Sequence, residues 1–79
     1  MVIEHVRLGP GAFAVGRSLA ELGLRTRTGA LVLSLRRDGL DRPTPDPEMA
    51  LAAEDELVIV GQPEQVIAAR RLVLDGGPP

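Results

Sequence analysis

Few side chains able to do covalent or acid–base chemistry occur in these 79 residues, and those that do stand apart. His5 is the one histidine and cysteine is absent, so the chain offers neither a thiolate metal site nor a pair of histidine ligands. A solvated strand position is the plain reading of His5, with pH sensing as the second. Ser18 and Ser34 are the only serines, and neither sits in a Gly-x-Ser-x-Gly elbow. Gly9-Pro10-Gly11 and Gly16 match neither a phosphate loop nor a dinucleotide glycine pattern. Glu54-Asp55-Glu56 could attract a cation, but three acids at a turn ordinarily form a solvated surface. The expectation is a non-enzyme with no metal and no resident cofactor.

One charged set is worth weighing. Arg25, Arg27, Arg36, Arg37 and Arg42 bracket the apolar stretch Ala30–Leu35. Converging beside it, some would make a pocket with an apolar floor and guanidinium walls, suited to a phosphate-bearing small molecule. The competing reading is that they are solvated or pair with Asp38, Asp41 and Glu48.

The elements that would position these groups are legible from pattern and punctuation. Val2 to Leu8 alternates as a strand, with Val2, Glu4, Val6 and Leu8 on one face and Ile3, His5 and Arg7 on the other. Ser18 with Glu21 three residues on reads as a capping box, opening a helix that Gly23 stops within two turns. Leu24 to Gly29 reads as a connection, with Gly29 in a conformation other residues resist. Ala30 to Arg36 is a nearly all-apolar strand, covered on both faces or with one face in an interface. Asp38-Gly39 is a strong hairpin signal, and Leu40–Arg42 returns before three alternating prolines that make that segment a sheet edge or an extended crossing. Met49 and Leu51 point to the core. Glu56–Val60 is a fourth strand, and Glu64–Leu74 a helix opened by Pro63 and burying Val66, Ala69 and Val73. The order strand, helix, three strands, helix predicts an α+β domain.

Composition narrows the function classes. The net charge is −2, all nine basic residues are arginine and Phe13 is the only aromatic, which supplies neither the basic field nor the stacking platform of a nucleic-acid binder. No apolar run approaches the ~20 residues of a membrane span. A domain of this size has a modest core and often gains stability from a second copy or a partner.

Taken in order, Val15-Gly16-Arg17-Ser18-Leu19-Ala20-Glu21-Leu22, Gly29-Ala30, Arg37-Asp38-Gly39, Pro43-Thr44-Pro45 and Asp55-Glu56-Leu57-Val58-Ile59-Val60-Gly61 resemble the RCK-C, or TrkA-C, domain. That family forms the C-terminal regulatory part of potassium conductance regulators and also occurs on cation/proton antiporters. The resemblance implies a four-stranded, mostly antiparallel, partly barrel-like sheet in β-α-β-β-β-α order, capped by a C-terminal helix. It takes residues 1–75 as the domain and 76–79 as a disordered tail. It further implies a homodimer, a cytoplasmic site beside the inner membrane, and a membrane cation transporter or antiporter as partner, in cis or in trans. Neither nucleic acid nor direct membrane insertion is expected. Cyclic di-AMP or another nucleotide would be the effector, with Ala30, Leu31, Arg36 and Arg42 as its carried-over contacts. The sequence departs from the family at Arg42, where a small polar residue is common, and at Glu54, where glycine is usual. The alternatives are a purely structural dimerisation module and a regulatory appendix of another protein, such as a transcription factor.

Overall fold

The strand Glu56–Gly61 occupies the interior of the sheet, paired with a neighbouring strand along each edge, and its Leu57, Ile59 and Val60 are all buried. The computed structural model describes residues 1–77. Its elements are β1 (Val2–Arg7), α1 (Leu19–Leu22), α2 (Leu24–Thr28), β2 (Leu31–Arg37), β3 (Leu40–Pro43), β4 (Glu56–Gly61) and α3 (Pro63–Asp75). The four strands form one open antiparallel sheet in the order β1-β4-β2-β3, with α3 at the C-terminal end, an α+β fold as expected.

One face of the sheet carries the core. Val6, Leu35, Leu57 and Ile59 point inward and pack with Leu22, Leu24, Val66, Ala69, Leu72 and Val73 from the helices. Burying each such side chain is worth about 1.5–3 kcal/mol, so this single cluster holds the domain together. The α3 helix starts at Pro63 with a capping box between Gln62 and Gln65. Its end is held from two sides. Gly76, at φ 89°, closes it as the C-cap. The Phe13 and Ala14 N–H groups donate to the Leu74 and Val73 carbonyls at 3.0 and 2.9 Å, satisfying acceptors a helix end leaves open. Gly76 and Gly77, expected in the tail, thus belong to the cap of α3; the rest of that tail, Pro78 and Pro79, lies outside the described residues.

The capping box of Ser18 and Glu21 forms as expected, and Gly23 ends α1 at φ 60°. The expected connection after it is a second short helix. Gly23 turns the chain once and α2 begins at the next residue, ending at Gly29 with φ 84°. Two threonines hid it, since threonine is a mediocre helix former. Here the Thr28 hydroxyl donates to the Leu24 carbonyl at 2.6 Å and accepts from the Ala30 N–H at 3.1 Å, which closes the helix and aims the chain into β2.

Candidate functional site

The opposite face of the sheet has no helix on it. Side chains alternate along each strand, and the register assigns Ile3, His5 and Arg7 of β1, Glu56, Val58 and Val60 of β4, and Leu31, Ser34 and Arg36 of β2 to this outer face. Asp41 and Pro43 of β3 continue it. A bulge between Val32 and Ser34 inserts Leu33, which restores the alternation so that both Val32 and Leu35 reach the core side. Ile3 is 60% exposed, Leu31 46% and Leu33 48%. Large aliphatic side chains therefore stand in solvent on the one sheet face that nothing among the described residues covers. Of the two readings of the Ala30–Leu35 strand, coverage on both faces or one face in an interface, only the second suits these exposures.

The hairpin joining β2 to β3 turns at Asp38 and Gly39, with φ 53° and 77°, the doubly left-handed geometry of a tight two-residue hairpin. It is anchored from the core side. The Arg37 guanidinium donates to both oxygens of Asp55, from Nε at 2.8 Å and from Nη2 at 2.6 Å, and Nη2 also donates to the Ala50 carbonyl at 3.1 Å. The Ala52 N–H donates to Asp55 Oδ2 at 2.8 Å. Asp55 is 1% exposed, which corrects the reading of Glu54-Asp55-Glu56 as a solvated run. Burial pushes its carboxyl up, but hydrogen bonds from Arg37 and Ala52 together outweigh that and hold it below the ordinary carboxylate range. The same hydrogen bond raises the Arg37 pKa. The expected turn at Glu54 forms with φ 74°; a left-handed residue there places Glu54 and Glu56 outside and turns Asp55 in.

The five arginines do not converge, which corrects the pocket they suggested. Arg36 and Arg37 are neighbours on a strand and so face opposite ways. Arg36 lies outside, 3.6 Å from Asp41, the competing reading of the set. Arg42, in register with Leu35, lies on the core side, its Nη1 3.7 Å from Met49 Sδ, beside Arg37. Arg27 folds back toward the Leu22 carbonyl. Arg25 alone lines the open groove of about 310 Å³ that runs between α1, α2 and the start of β2, with Ala30, Leu31, Leu24 and Pro47. Of the four carried-over contacts, then, Ala30 is 1% exposed at the base of that groove and Leu31 is at its lip. Arg36 shares the outer face with Leu31 at the far end of β2, and Arg42 is on the other side of the hairpin. His5 lies on the outer face 3.3 Å from Glu56. The sequence offered the Arg36–Asp41 pair; the Arg37–Asp55 and His5–Glu56 pairs join residues far apart in the chain, which patterning does not bring together.

A family model described as the TrkA-C domain matches residues 3–74. Among solved structures, the chain resembles the regulator of conductance of K+ C domain of the potassium transport protein KtrA, in complex with cyclic diadenosine monophosphate. That match has a TM-score of 0.81 at 18% identity, covering 90% of this chain and 81% of that one. It also resembles the RCK_C domain dimer of S. agalactiae BusR in complex with c-di-AMP, with TM-score 0.73 at 19% identity, covering 85% and 88%. The same BusR has been solved with its promoter DNA. A third likeness is to the GsuK channel, with TM-score 0.75 at 26% identity, covering 90% of this chain but 13% of the channel chain. The two likenesses below 20% identity speak to the fold, which they share over nearly the whole length.

Proposed function

The chain belongs to the TrkA-C domain family, and we propose that it is a non-catalytic regulatory domain of a monovalent cation transport system, working as a homodimer whose geometry a nucleotide effector biases. One observation carries the reading: an aliphatic sheet face stands uncovered on a fold whose other face carries the core. A domain this small gains from covering such a face with a second copy. The similarity to domains solved with c-di-AMP supports a cyclic dinucleotide as effector. Leu31 on the apolar part and Arg36 on the charged part of the outer face would receive the base and a phosphate, with Ala30 behind Leu31, whereas Arg42, on the core side of the hairpin, would take no part. The partner in this reading is a potassium channel or transporter, or a cation/proton antiporter, on the cytoplasmic side of the membrane. An effector acts here only through a differential affinity for two dimer arrangements.

Thermal unfolding followed by circular dichroism tests this, at two protein concentrations and with cyclic di-AMP, ATP, ADP and NAD(H). A ligand at ~100 times its dissociation constant adds about 2.7 kcal/mol, several degrees in a domain of this size. A rise with cyclic di-AMP that Arg36→Ala abolishes supports the reading. No rise with any nucleotide overturns the effector. A second reading, a dimerisation module without ligand, is favoured by the dispersal of the arginines. It expects a melting temperature that rises with protein concentration alone.

A further inference from the structure

Two arginines of the β2–β3 hairpin point at the same sulfur. Arg37 and Arg42 both lie on the core side of the hairpin, and the Nη1 of each stands 3.7 Å from Met49 Sδ. The other guanidinium nitrogens of Arg37 are taken by Asp55 and the Ala50 carbonyl, which leaves Met49 as the acceptor for its Nη1. Arg42 has no other polar partner among the described residues. The loop that carries Met49 is held on both sides. The Pro47 carbonyl accepts from the Ala20 N–H at 2.9 Å, the Met49 N–H donates to the Asp46 carbonyl at 3.1 Å, and the Leu51 N–H donates to the Arg17 carbonyl at 2.8 Å. A thioether is a weak acceptor, whereas a guanidinium N–H is a strong, charged donor. Two such donors therefore converge on a group that uses little of their strength. Met49 is only partly buried, so it is open to small solutes.

We propose that Met49 is a site of reversible oxidation, and that its sulfoxide is the acceptor the two guanidinium groups fit. A hydroperoxide supplies the oxygen. A sulfur lone pair attacks one peroxide oxygen, the O–O bond breaks, and the departing hydroxide takes up the proton left on the transferred oxygen to form water. Sulfur is oxidised and the peroxide is reduced. The new S=O places a strongly negative oxygen where Nη1 of Arg37 and Nη1 of Arg42 can both donate to it. In an apolar core a sulfoxide disrupts packing; beside two charged donors it replaces a weak acceptor by a strong one. The consequence falls on β3, whose four residues are all exposed and which only β2 joins to the sheet. Oxidation ties Arg42, and β3 with it, to the Met49 loop and the buried Arg37–Asp55 pair. The hairpin stiffens at the edge of the open face, and reduction of the sulfoxide releases it. None of this needs a dimer or an effector.

Titration of the natural chain with hydrogen peroxide tests this, with Met1, the only other methionine and 85% exposed, as the internal reference. Peptide mass mapping should find Met49 sulfoxide in the folded protein at peroxide concentrations that oxidise Met1. In urea the oxidised protein should unfold with an equilibrium constant about tenfold smaller than the reduced protein. Treatment with the two epimer-specific methionine sulfoxide reductases should restore the original midpoint. Arg42→Ala should still be oxidised but lose most of that gain, and Met49→Leu should show no change with peroxide. Deuterium exchange at the β3 amides should slow on oxidation of the natural chain. Should Arg42→Ala fail to fold, Met49→Gln decides the matter. Its amide oxygen stands in for the sulfoxide, so it should unfold at higher urea than Met49→Leu. Met49 left unmodified while Met1 is fully oxidised overturns the site. A loss of stability on oxidation, a gain that Arg42→Ala keeps, unchanged exchange in β3, or a Met49→Gln variant weaker than Met49→Leu overturns the role of the two arginines.

Discussion

Asp55 keeps its charge in the interior because three N–H groups are aimed at it, two from Arg37 and one from Ala52. A buried carboxylate without such donors would neutralise. Removing one partner of a buried pair strands the other, so Asp55→Ala should cost about 3 kcal/mol at neutral pH, read from urea unfolding. The pH dependence has a definite sign. The carboxyl's folded pKa lies below its unfolded value of about 3.9, so its stabilisation is complete above about pH 4 and is lost as the pH falls through the folded value. In the natural chain stability should therefore drop below about pH 4 more steeply than in Asp55→Asn, and parallel acid titrations of the two would show it. His5 contrasts with Asp55: it is exposed against one carboxylate, and nothing buries it.

Among the elements, the junction of α2, β2 and α3 turns on Gly29. Its φ of 84° is left-handed, and a Cβ there would stand 2.5 Å from Gln65 Nε2. Gln65 also accepts from the Gln62 N–H at 2.8 Å to start α3, so displacing it disturbs two elements. Gly29→Ala should lower stability by at least about 1 kcal/mol, measured as a shift in melting temperature. Gly11→Ala is the matched control. It has no neighbour within 4 Å and no left-handed φ, so its effect should stay within about 0.5 kcal/mol. At the start of α1, Ser18 accepts from the Glu21 N–H while Glu21 accepts from the Ser18 N–H. Ser18→Ala should cost about 1 kcal/mol, and loss of that cap should loosen the α1 wall of the Arg25 groove.

For the molecule as a whole, the asymmetry of the sheet matters more than any single contact. One face is closed by the three helices and the loop that clasps the end of α3; the other is open, with its aliphatic and charged parts in separate rows. Dimerisation and effector binding on such a face are thermodynamically linked. If cyclic di-AMP prefers the dimer, saturating ligand must tighten dimerisation by the same factor by which dimerisation tightens the ligand. Sedimentation equilibrium with and without the nucleotide should show a dissociation constant lowered by about tenfold for each 1.4 kcal/mol of coupling. An unchanged constant would leave binding and assembly as separate events.

Local punctuation and periodicity determined a good part of this protein. Ser18 with Glu21, Asp38-Gly39, Pro63 and the alternation of Val2–Leu8 each act within a few residues, so the capping box, the hairpin and the strands are readable in one dimension. The ordered fragments from Val15 to Gly61 likewise carried the family. What a strand's side chain meets depends on its register with a strand distant in sequence, and that only the tertiary structure decided. The reading of Asp55 as solvated and of five arginines as one pocket failed for that reason: Arg37 and Asp55 are 18 positions apart and meet across the hairpin base, while a period of two sends Arg36 and Arg37 to opposite faces. The run of Arg7, Glu56, Arg36 and Asp41 across the open face has the same origin, since four strands contribute one residue each and no stretch of sequence contains it.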